Sequence, residues 1–291
     1  MSNGKKTKRP KSLQLLYVDT IRHLIPFFDK QSIYNLFNTD KYFKDLVGEN
    51  MDYTYILSTN GTFSANVDTL FETLLLAQVY YIYNQYKPSG YTQIPTVALF
   101  PGVYNLPYGQ DINITSPMII TGSETKTKTE IKGSINIDPN VSGTALKHLT
   151  ITGPLNGVRS KSSFTMENVV VQECLNDGVV IEGPNDHNDG IRVTCTNLTV
   201  TNCTGSGIDV SGNATIRLAG PTNISNNCKI AMHHGMELRG NSVLELVHPL
   251  NKAIVFDNND YCAESEPKMI SEPEQSQETE ETKEINAKLR F

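Results

Sequence analysis

The sequence feature that most constrains the fold is a repeat between residues 110 and 259. Four similar segments align beneath one another: KHLTITGPLNGVRS, ENVVVQECLNDGVVIEG, TNLTVTNCTGSGIDVSG and TNISNNCKIAMHHGMELRG. Each contains a glycine at an equivalent place, and the intervals between Gly157, Gly178, Gly207 and Gly235 are 21, 29 and 28 residues. Self-similarity at such a period is typical of chains that stack one supersecondary unit per repeat. The sequence therefore predicts coils of about 20 residues with occasional insertions.

Other residue types also fall into columns when the segments are aligned. An apolar column begins the first strand, a polar column precedes it, and a cysteine column follows. These columns contain, in that order, Leu149, Val169, Leu198 and Ile224; His148, Asn168, Asn197 and Asn223; and Cys174, Cys203 and Cys228. In a parallel β-helix, the members of a column are neighbours on rungs about 4.8 Å apart. We therefore expect the cysteines to form an inward ladder of small apolar residues. We expect the asparagines to form a hydrogen-bonded ladder.

Composition agrees with turn-rich β structure. Hydrophobic residues make up 38% of the chain, charged residues make up 19%, and tryptophan is absent. Asn, Thr and Ser supply much of the polarity, as expected where short β-branched strands alternate with turns. The predicted fold class is mainly β, a right-handed parallel β-helix solenoid preceded by a small α-helical module. The net charge is −6, and nothing in the charge pattern predicts a nucleic-acid-binding surface.

The N-terminal segment from Leu13 to Val47 has helical periodicity. Its apolar residues recur at i, i+3, i+4 and i+7, which places them on one helix face. Ser32 can cap a second helix. A unit of about 35 residues in three short helices buries little surface, so its apolar stripe needs a partner or a neighbouring domain to cover it.

This segment resembles the F-box family. The matching positions are Leu16, Asp19, Ile21, Leu24, Ile25, Phe28, Ile33, Leu36, Phe43 and Leu46. Tyr17 departs from the family pattern, which usually has proline there, and Ser32 replaces an aspartate. The resemblance implies docking to a Skp1-type adaptor of a cullin ubiquitin ligase. The adaptor-binding residues would be Leu16, Ile21, Leu24, Ile25, Ile33 and Leu36. The alternative is an ordinary three-helix cap that packs on the rest of the chain.

A helix over residues 66–86 is expected next, capped by Asn66 or Asp68, with Leu70, Leu74, Ala77 and Tyr81 on one face. A strand, a Pro-Gly turn and a second strand follow. This order is similar to the start of pectin-lyase-type β-helices, whose first helix covers the open end of the coil. The expected domains are a basic tail at 1–11, the F-box-like module at 12–50, a linker and capping helix at 51–92, the β-helix at 93–262 and an acidic disordered tail at 263–291.

The acidic stretch 172–190 raises the question of sugar-chain cleavage. Glycosidases need a pair of carboxylates at a defined separation. Polygalacturonases resemble this chain only in part, because Arg159 and Lys161 precede the acids and no Asp-Asp pair occurs. Asp177 occupies a turn position where the next segments have Ser206 and His234, which favours a structural role. No catalytic residue is therefore predicted.

The part of this stretch that is particular to its rung is an insertion, 184–191. Insertions in a solenoid project from one face, which is often the binding face. We expect Asp186, His187 and Asp189 to form a target-binding loop. No metal site and no cofactor are expected, because a cysteine in each coil does not make the tetrahedral cluster that zinc needs.

The expected location is intracellular. The chain has no signal-peptide pattern and no apolar run long enough to cross a bilayer, and its five cysteines are an odd number. These features predict the cytoplasm or nucleus of a eukaryotic cell, or the host cytoplasm if the protein is viral. No membrane partner is expected.

The leading functional hypothesis is a substrate-recognition subunit of a cullin-type ubiquitin ligase. The β-helix would bind the target, an unidentified protein or glycan. One alternative is a carbohydrate-binding or carbohydrate-active protein of the pectin-lyase fold. Another is a structural, virion-associated β-helix protein.

Overall fold

The structure, a computed structural model, describes residues 61–85, 93–107, 111–124, 128–185, 190–229, 234–251, 255, 261–263 and 268–270. The chain divides into two compact units, residues 1–60 with 82–93, and residues 61–81 with 94–291. The second unit is a parallel β-solenoid. The F-box-like module, with its six expected adaptor-binding residues, lies outside the described residues.

Three parallel sheets, here named A, B and C, form the faces of the solenoid. Sheet A contains β1 (Thr62–Ala65), β2 (Thr96–Leu99), β5 (Ile119–Thr121), β8 (Thr144–Lys147), β11 (Phe164–Glu167), β14 (Ile191–Thr196), β17 (Ala214–Ala219), β20 (Val243–Val247) and β22 (Lys268–Ile270). Sheet B contains β3 (Gly102–Asn105), β6 (Thr129–Lys132), β9 (Thr150–Thr152), β12 (Val170–Gln172), β15 (Thr199–Thr201) and β18 (Asn223–Ser225). Sheet C contains β4 (Ile112–Ile114), β7 (Ile135–Ile137), β10 (Val158–Ser160), β13 (Val179–Glu182), β16 (Ile208–Ser211), β19 (Met236–Leu238) and β21 (Tyr261–Ala263).

The chain visits the sheets in the order A, B, C and then begins the next rung. Strands β2 to β19 make six complete rungs in this way. Rung length varies: Ala145 pairs with Thr165 after 20 residues, and Thr165 pairs with Thr194 after 29 residues. The predicted mainly β fold, with coils stacked in parallel, is confirmed. Strand pairing also begins earlier and ends later than the expected range of 93–262, because β1 and β22 both belong to sheet A.

The core consists of columns of apolar side chains, one residue from each rung. In sheet A, a column of mutually paired and buried residues contains Phe63, Val97, Ile120, Leu146, Met166, Cys195, Leu218 and Leu246. In sheet B, the corresponding column contains Tyr104, Ile131, Ile151, Val171, Val200 and Ile224. Alternate residues of each strand point inward, as the two-residue period of a β-strand requires. Burial of these side chains is the main stabilising contribution in each rung.

The corner between sheets A and B turns on one left-handed residue in each of four successive rungs. These residues are His148, Asn168, Asn197 and Gly220, with φ values of 52°, 54°, 57° and 63°. Asparagine tolerates this conformation better than most residues with a Cβ. The Asn197 side-chain amide donates to the Asn168 amide oxygen at 2.8 Å, so these two members of the expected asparagine ladder do bond to each other. Asn223, the third expected member, lies in β18 and pairs with Thr199 instead, and Gly220 stands at the corner. A Cβ at Gly220 would lie 2.2 Å from the Asn197 side-chain oxygen, so glycine is required at that position.

The corner between sheets B and C depends on the glycine column found in the sequence. A Cβ at Gly178 would lie 2.4 Å from Val200 Cγ1 and 2.6 Å from the Gly207 carbonyl oxygen. A Cβ at Gly157, one rung earlier, would likewise lie too close to Val171 Cγ1 and to the Gly178 carbonyl oxygen. The glycines are therefore fixed by close approach of successive rungs. Cys174 and Cys203 fill the space beside this column and are both buried.

In the fourth aligned segment, the structure shifts the residues of the apolar and cysteine columns by one or two positions from those that the sequence alignment predicted. Ile224 pairs with Val200, so it belongs to the inward column two residues after Leu198. Asn227 takes the place in the cysteine column that was expected for Cys228. Its side chain accepts from the Cys203 N–H at 2.9 Å and donates to the Val200 carbonyl at 3.0 Å. An amide thus replaces a thiol, because both of its polar groups find backbone partners.

Helix α1 (Leu70–Gln85) follows β1 and was expected from the sequence. The Asn66 side chain accepts from the N–H groups of Asp68 and Thr69, both at 3.0 Å, so it caps the turn that leads into the helix. The buried face contains Leu70, Leu74, Ala77 and Tyr80, whereas Tyr81, the expected member, is half-buried. The Tyr80 ring packs edge-on against Phe63 with centroids 5.5 Å apart. Within the described residues, no helix has the length and apolar character to cross a membrane.

The glycine column gives a test of this packing. Gly178→Ala should lower the free energy of unfolding by about 2–3 kcal/mol, because the new methyl group overlaps Val200 and the Gly207 backbone. The matched control is Thr199→Ala, which trims a half-buried side chain of β15 and should change stability by less than about 0.5 kcal/mol. Urea denaturation followed by circular dichroism measures both. Equal stability of the two variants would contradict the close packing.

Candidate functional site

The third corner, between sheets C and A, varies in length and forms a groove. Its connections are residues 138–143, 161–163 and 183–190 in three successive rungs. Described residues of these connections line an open groove of about 820 Å³. The described residues that line it are Pro139, Asn140, Ser142, Lys161, Ser162, Ser163, Glu182, Gly183, Pro184, Asn185, Gly190, Ile191 and Ser211. A volume of this size is in the range of small-ligand sites.

The charged groups of the groove are paired with one another. Glu182 Oε1 lies 2.6 Å from Arg159 Nη2, and Glu182 Oε2 lies 3.4 Å from Lys161 Nζ. The ammonium of Lys161 also acts on Asp138. Partial burial raises the pKa of the Asp138 carboxyl, and the Lys161 charge opposes this increase. Arg159 and Lys161 therefore hold a carboxylate in place, and the groove carries little net charge.

Backbone hydrogen bonds between rungs hold the groove walls. The Lys161 N–H donates to the Ile137 carbonyl at 3.1 Å, and the Gly183 N–H donates to the Ser211 carbonyl at 2.8 Å. On the other wall, the Arg192 N–H donates to the Ser163 hydroxyl at 2.9 Å. These parts of the corner are therefore tied to the solenoid. The side chains of the groove thus project from a rigid support.

Three uncharged polar side chains in the lining are exposed. They belong to Asn140, Ser142 and Asn185. Asn140 has a φ of 65°, the left-handed conformation that asparagine adopts in turns. Amide and hydroxyl groups both donate and accept hydrogen bonds, so these residues can bind a polar ligand that offers either donors or acceptors.

Asp177, the acid that the sequence offers for catalysis, lies at the B-to-C corner in a polar column. The Asp177 N–H donates to the Asn156 side-chain oxygen at 3.2 Å, and Asp177 Oδ1 accepts from the Ser206 N–H at 2.7 Å. The Ser206 hydroxyl in turn accepts from the His234 N–H at 3.3 Å. Each side chain thus caps the backbone of the next rung. The structural interpretation of Asp177 as a turn residue is supported.

The residues that resembled parts of a polygalacturonase site are not assembled into one centre. Asp177 and His234 share the B-to-C column, whereas Lys161 lies at the C-to-A groove with Glu182. The expected target-binding residues Asp186, His187 and Asp189 lie outside the described residues. Asn185 and Gly190, which flank that segment, line the groove.

The described part of the chain offers no group of three or more His, Cys, Asp or Glu side chains able to hold a metal ion. Two of the buried thiols, those of Cys174 and Cys195, are also unsuited to nucleophilic chemistry. A hydrogen bond with the Cys203 sulfur, and then burial, raise the pKa of Cys174. Burial raises the pKa of Cys195. Such thiols stay protonated and serve as small core residues.

Several residues of the groove and of the polar column were not identified from the sequence. Glu182 was not singled out, although it anchors both Arg159 and Lys161. Asn140 and Asn156 were also missed. The signal for Asn156 was present, because it stands one residue before Gly157 just as Asp177 stands before Gly178. No comparable signal existed for Asn140, because the C-to-A connections share no common length.

The column role of Asp177 gives a test. Asp177→Ala should destabilise the protein by about 1–3 kcal/mol, because it leaves the buried Ser206 N–H without its acceptor. Asp177→Asn keeps a side-chain oxygen at the same place and should cost less than about 1 kcal/mol. Urea unfolding of the two variants and the wild type checks this. A loss that is equally large for asparagine would show that the charge matters instead of the hydrogen bond.

Comparisons with known proteins leave the family open. No protein-family model matches this chain, and no curated protein or solved structure shows significant similarity to it. The description of the fold and of the groove is therefore based on the structure and the repeat pattern alone.

Proposed function

We propose that this protein is a non-enzymatic recognition subunit. Its F-box-like segment would dock to a Skp1-type adaptor of a cullin ubiquitin ligase, and its solenoid would bind the target at the C-to-A groove. The binding role is supported by the observation that the acidic side chains Asp177 and Glu182 already have partners within the protein. Asp177 caps the next rung, and Glu182 is held between Arg159 and Lys161.

A general acid needs a raised pKa and a general base needs a free carboxylate close to the reacting atom. Neither condition fits these groups. Asp177 Oδ1 already accepts from a buried backbone N–H, and both oxygens of Glu182 face cations. A rigid groove with exposed amide and hydroxyl groups, by contrast, meets the requirements of a binding site. This favours recognition over hydrolysis.

The adaptor-docking part of the proposal is supported by the sequence. Leu16, Ile21, Leu24, Ile25, Ile33 and Leu36 follow the apolar spacing of the F-box pattern. An amphipathic helix needs a surface to cover its apolar face, and an adaptor groove is one such surface. The alternative, a three-helix cap on the chain itself, would use the same residues for internal packing.

Adaptor binding can be tested directly. The full chain should retain a Skp1-type adaptor in a pull-down, and the double variant Ile21→Asp/Leu24→Asp should lose it, because two carboxylates would be buried at the interface. The matched control is Asn140→Gly/Asn185→Ala, which alters the groove and should retain the adaptor. Absence of adaptor binding by the wild-type chain would overturn the proposal.

A further inference from the structure

Two buried thiols stand beside each other on successive rungs, where sheet B gives way to the B-to-C corner. Val171 pairs with Val200 in the parallel ladder between β12 and β15. Cys174 and Cys203 each follow the valine of their own rung by three residues. The rungs stay paired beyond the strands, since the Thr204 N–H donates to the Cys174 carbonyl at 2.9 Å. The two cysteines are therefore counterparts, and they are 1% and 0% exposed.

The two side chains also point in the same direction. The Cys174 thiol donates to the Gln172 carbonyl oxygen at 3.7 Å. The Cys203 thiol donates to the Thr201 carbonyl oxygen, also at 3.7 Å. A hydrogen bond joins the two sulfurs, so they are in contact. Rungs repeat about every 4.8 Å, which lies within the range of roughly 4.4–6.8 Å between the Cα atoms of a disulfide.

The contact makes the two sulfurs chemically unequal. The hydrogen bond from Cys174 lowers the pKa of Cys203, and burial opposes this decrease. The same contact, and then burial, raise the pKa of Cys174. Cys203 is therefore the sulfur that ionises first, with the Cys174 thiol as its hydrogen-bond donor. A thiolate is the form of cysteine that reacts with oxidants.

Cys195 shows that the pairing, and not burial alone, sets these two thiols apart. It is 0% exposed in the inward column of sheet A, between Met166 and Leu218. Burial raises its pKa. Neither a thioether nor a hydrocarbon side chain can form a disulfide with it. Cys195 is therefore a matched control for the pair, because it is a thiol of equal burial in the same core.

We propose that Cys174 and Cys203 are a redox-sensitive pair whose disulfide locks two rungs of the solenoid together. The oxidant is a small peroxide, because a buried pair excludes bulky disulfides such as oxidised glutathione. Burial also favours the disulfide over further oxidation, since the second thiol is closer to the reacting sulfur than a second peroxide is. This inference is independent of the proposed function.

The oxidation takes place in two steps. The Cys203 thiolate attacks one oxygen of hydrogen peroxide, the O–O bond breaks, and the hydroxide that leaves takes up a proton to form water. The Cys174 sulfur then attacks the sulfenic acid on Cys203, the S–O bond breaks, and the departing hydroxide takes the Cys174 proton as a second water. The thiols lose two electrons and two protons in all, and a reducing dithiol reverses the reaction by exchange.

The disulfide would close a covalent ring over residues 174–203. This ring contains β13, β14 and the connection between them, whose described residues line the C-to-A groove. A crosslink restricts the unfolded chain, and the restriction grows with the length of the ring. The oxidised protein is therefore expected to keep this rung folded at urea concentrations that open the reduced protein.

The test uses the full chain, reduced with dithiothreitol, desalted and then exposed to hydrogen peroxide. A thiol titration in denaturant should show the loss of two thiols, and dithiothreitol should restore them. Trypsin places Cys174 in peptide 162–192 and Cys203 in peptide 193–217. Mass spectrometry should find these peptides joined, and fragment ions should assign the bond to Cys203 instead of Cys195, which shares its peptide.

Three variants complete the test. Cys174→Ala and Cys203→Ala should lose the crosslink, and Cys195→Ala should keep it. Peroxide should raise the urea midpoint of the wild type and of Cys195→Ala by about 1 M and leave that of the other two variants unchanged. Each variant is compared with itself before and after peroxide, so a loss of stability from the substitution does not affect the result.

The inference has clear contrary outcomes. Retention of all thiols in peroxide, a bond to any other cysteine, or oxidation to sulfinic acid in place of a crosslink would overturn it. Adaptor binding enters none of these measurements, so the redox pair and the proposed function can fail separately.

Discussion

In-register pairing of parallel rungs is the constraint on which the rest of the structure depends. Each residue lies directly beside its counterpart in the next rung, as Met166 lies beside Cys195 and Cys195 beside Leu218. Any side chain must therefore be compatible with the one above it and the one below it. Apolar columns satisfy this by packing. Polar columns satisfy it only when each member has a partner in the adjacent rung.

The corners show how polar columns meet that requirement. At the A-to-B corner, Asn168 and Asn197 bond to each other and Gly220 leaves the space that Asn197 needs. At the B-to-C corner, a side-chain oxygen of one rung accepts the N–H of the next, from Asn156 to His234. At the C-to-A corner, described residues of successive rungs line the groove instead.

The parts of the fold that repeat could be predicted from the sequence, and those that occur once could not. Gly157, Gly178 and Gly207 identified the rung spacing because close backbone approach excludes every other residue there. The last aligned segment was wrong by one or two residues at Cys228 and Ile224. The alignment matched Thr222-Asn223 with Thr196-Asn197, but Asn223 pairs with Thr199 in the structure. Counting forward would have found Asn227, which follows Ile224 by three residues as Cys203 follows Val200.

The difference in rung length has a consequence for how such a chain can change. Two neighbouring rungs differ by nine residues between paired positions, yet Ala145, Thr165 and Thr194 keep the same register. Most of the extra residues lie between β13 and β14, and the register of the strands on either side is unchanged. Insertions and deletions between these strands can therefore change the length of the connection while the hydrophobic columns stay aligned. A solenoid of this kind separates the part of its sequence that specifies folding from the part that can vary in length.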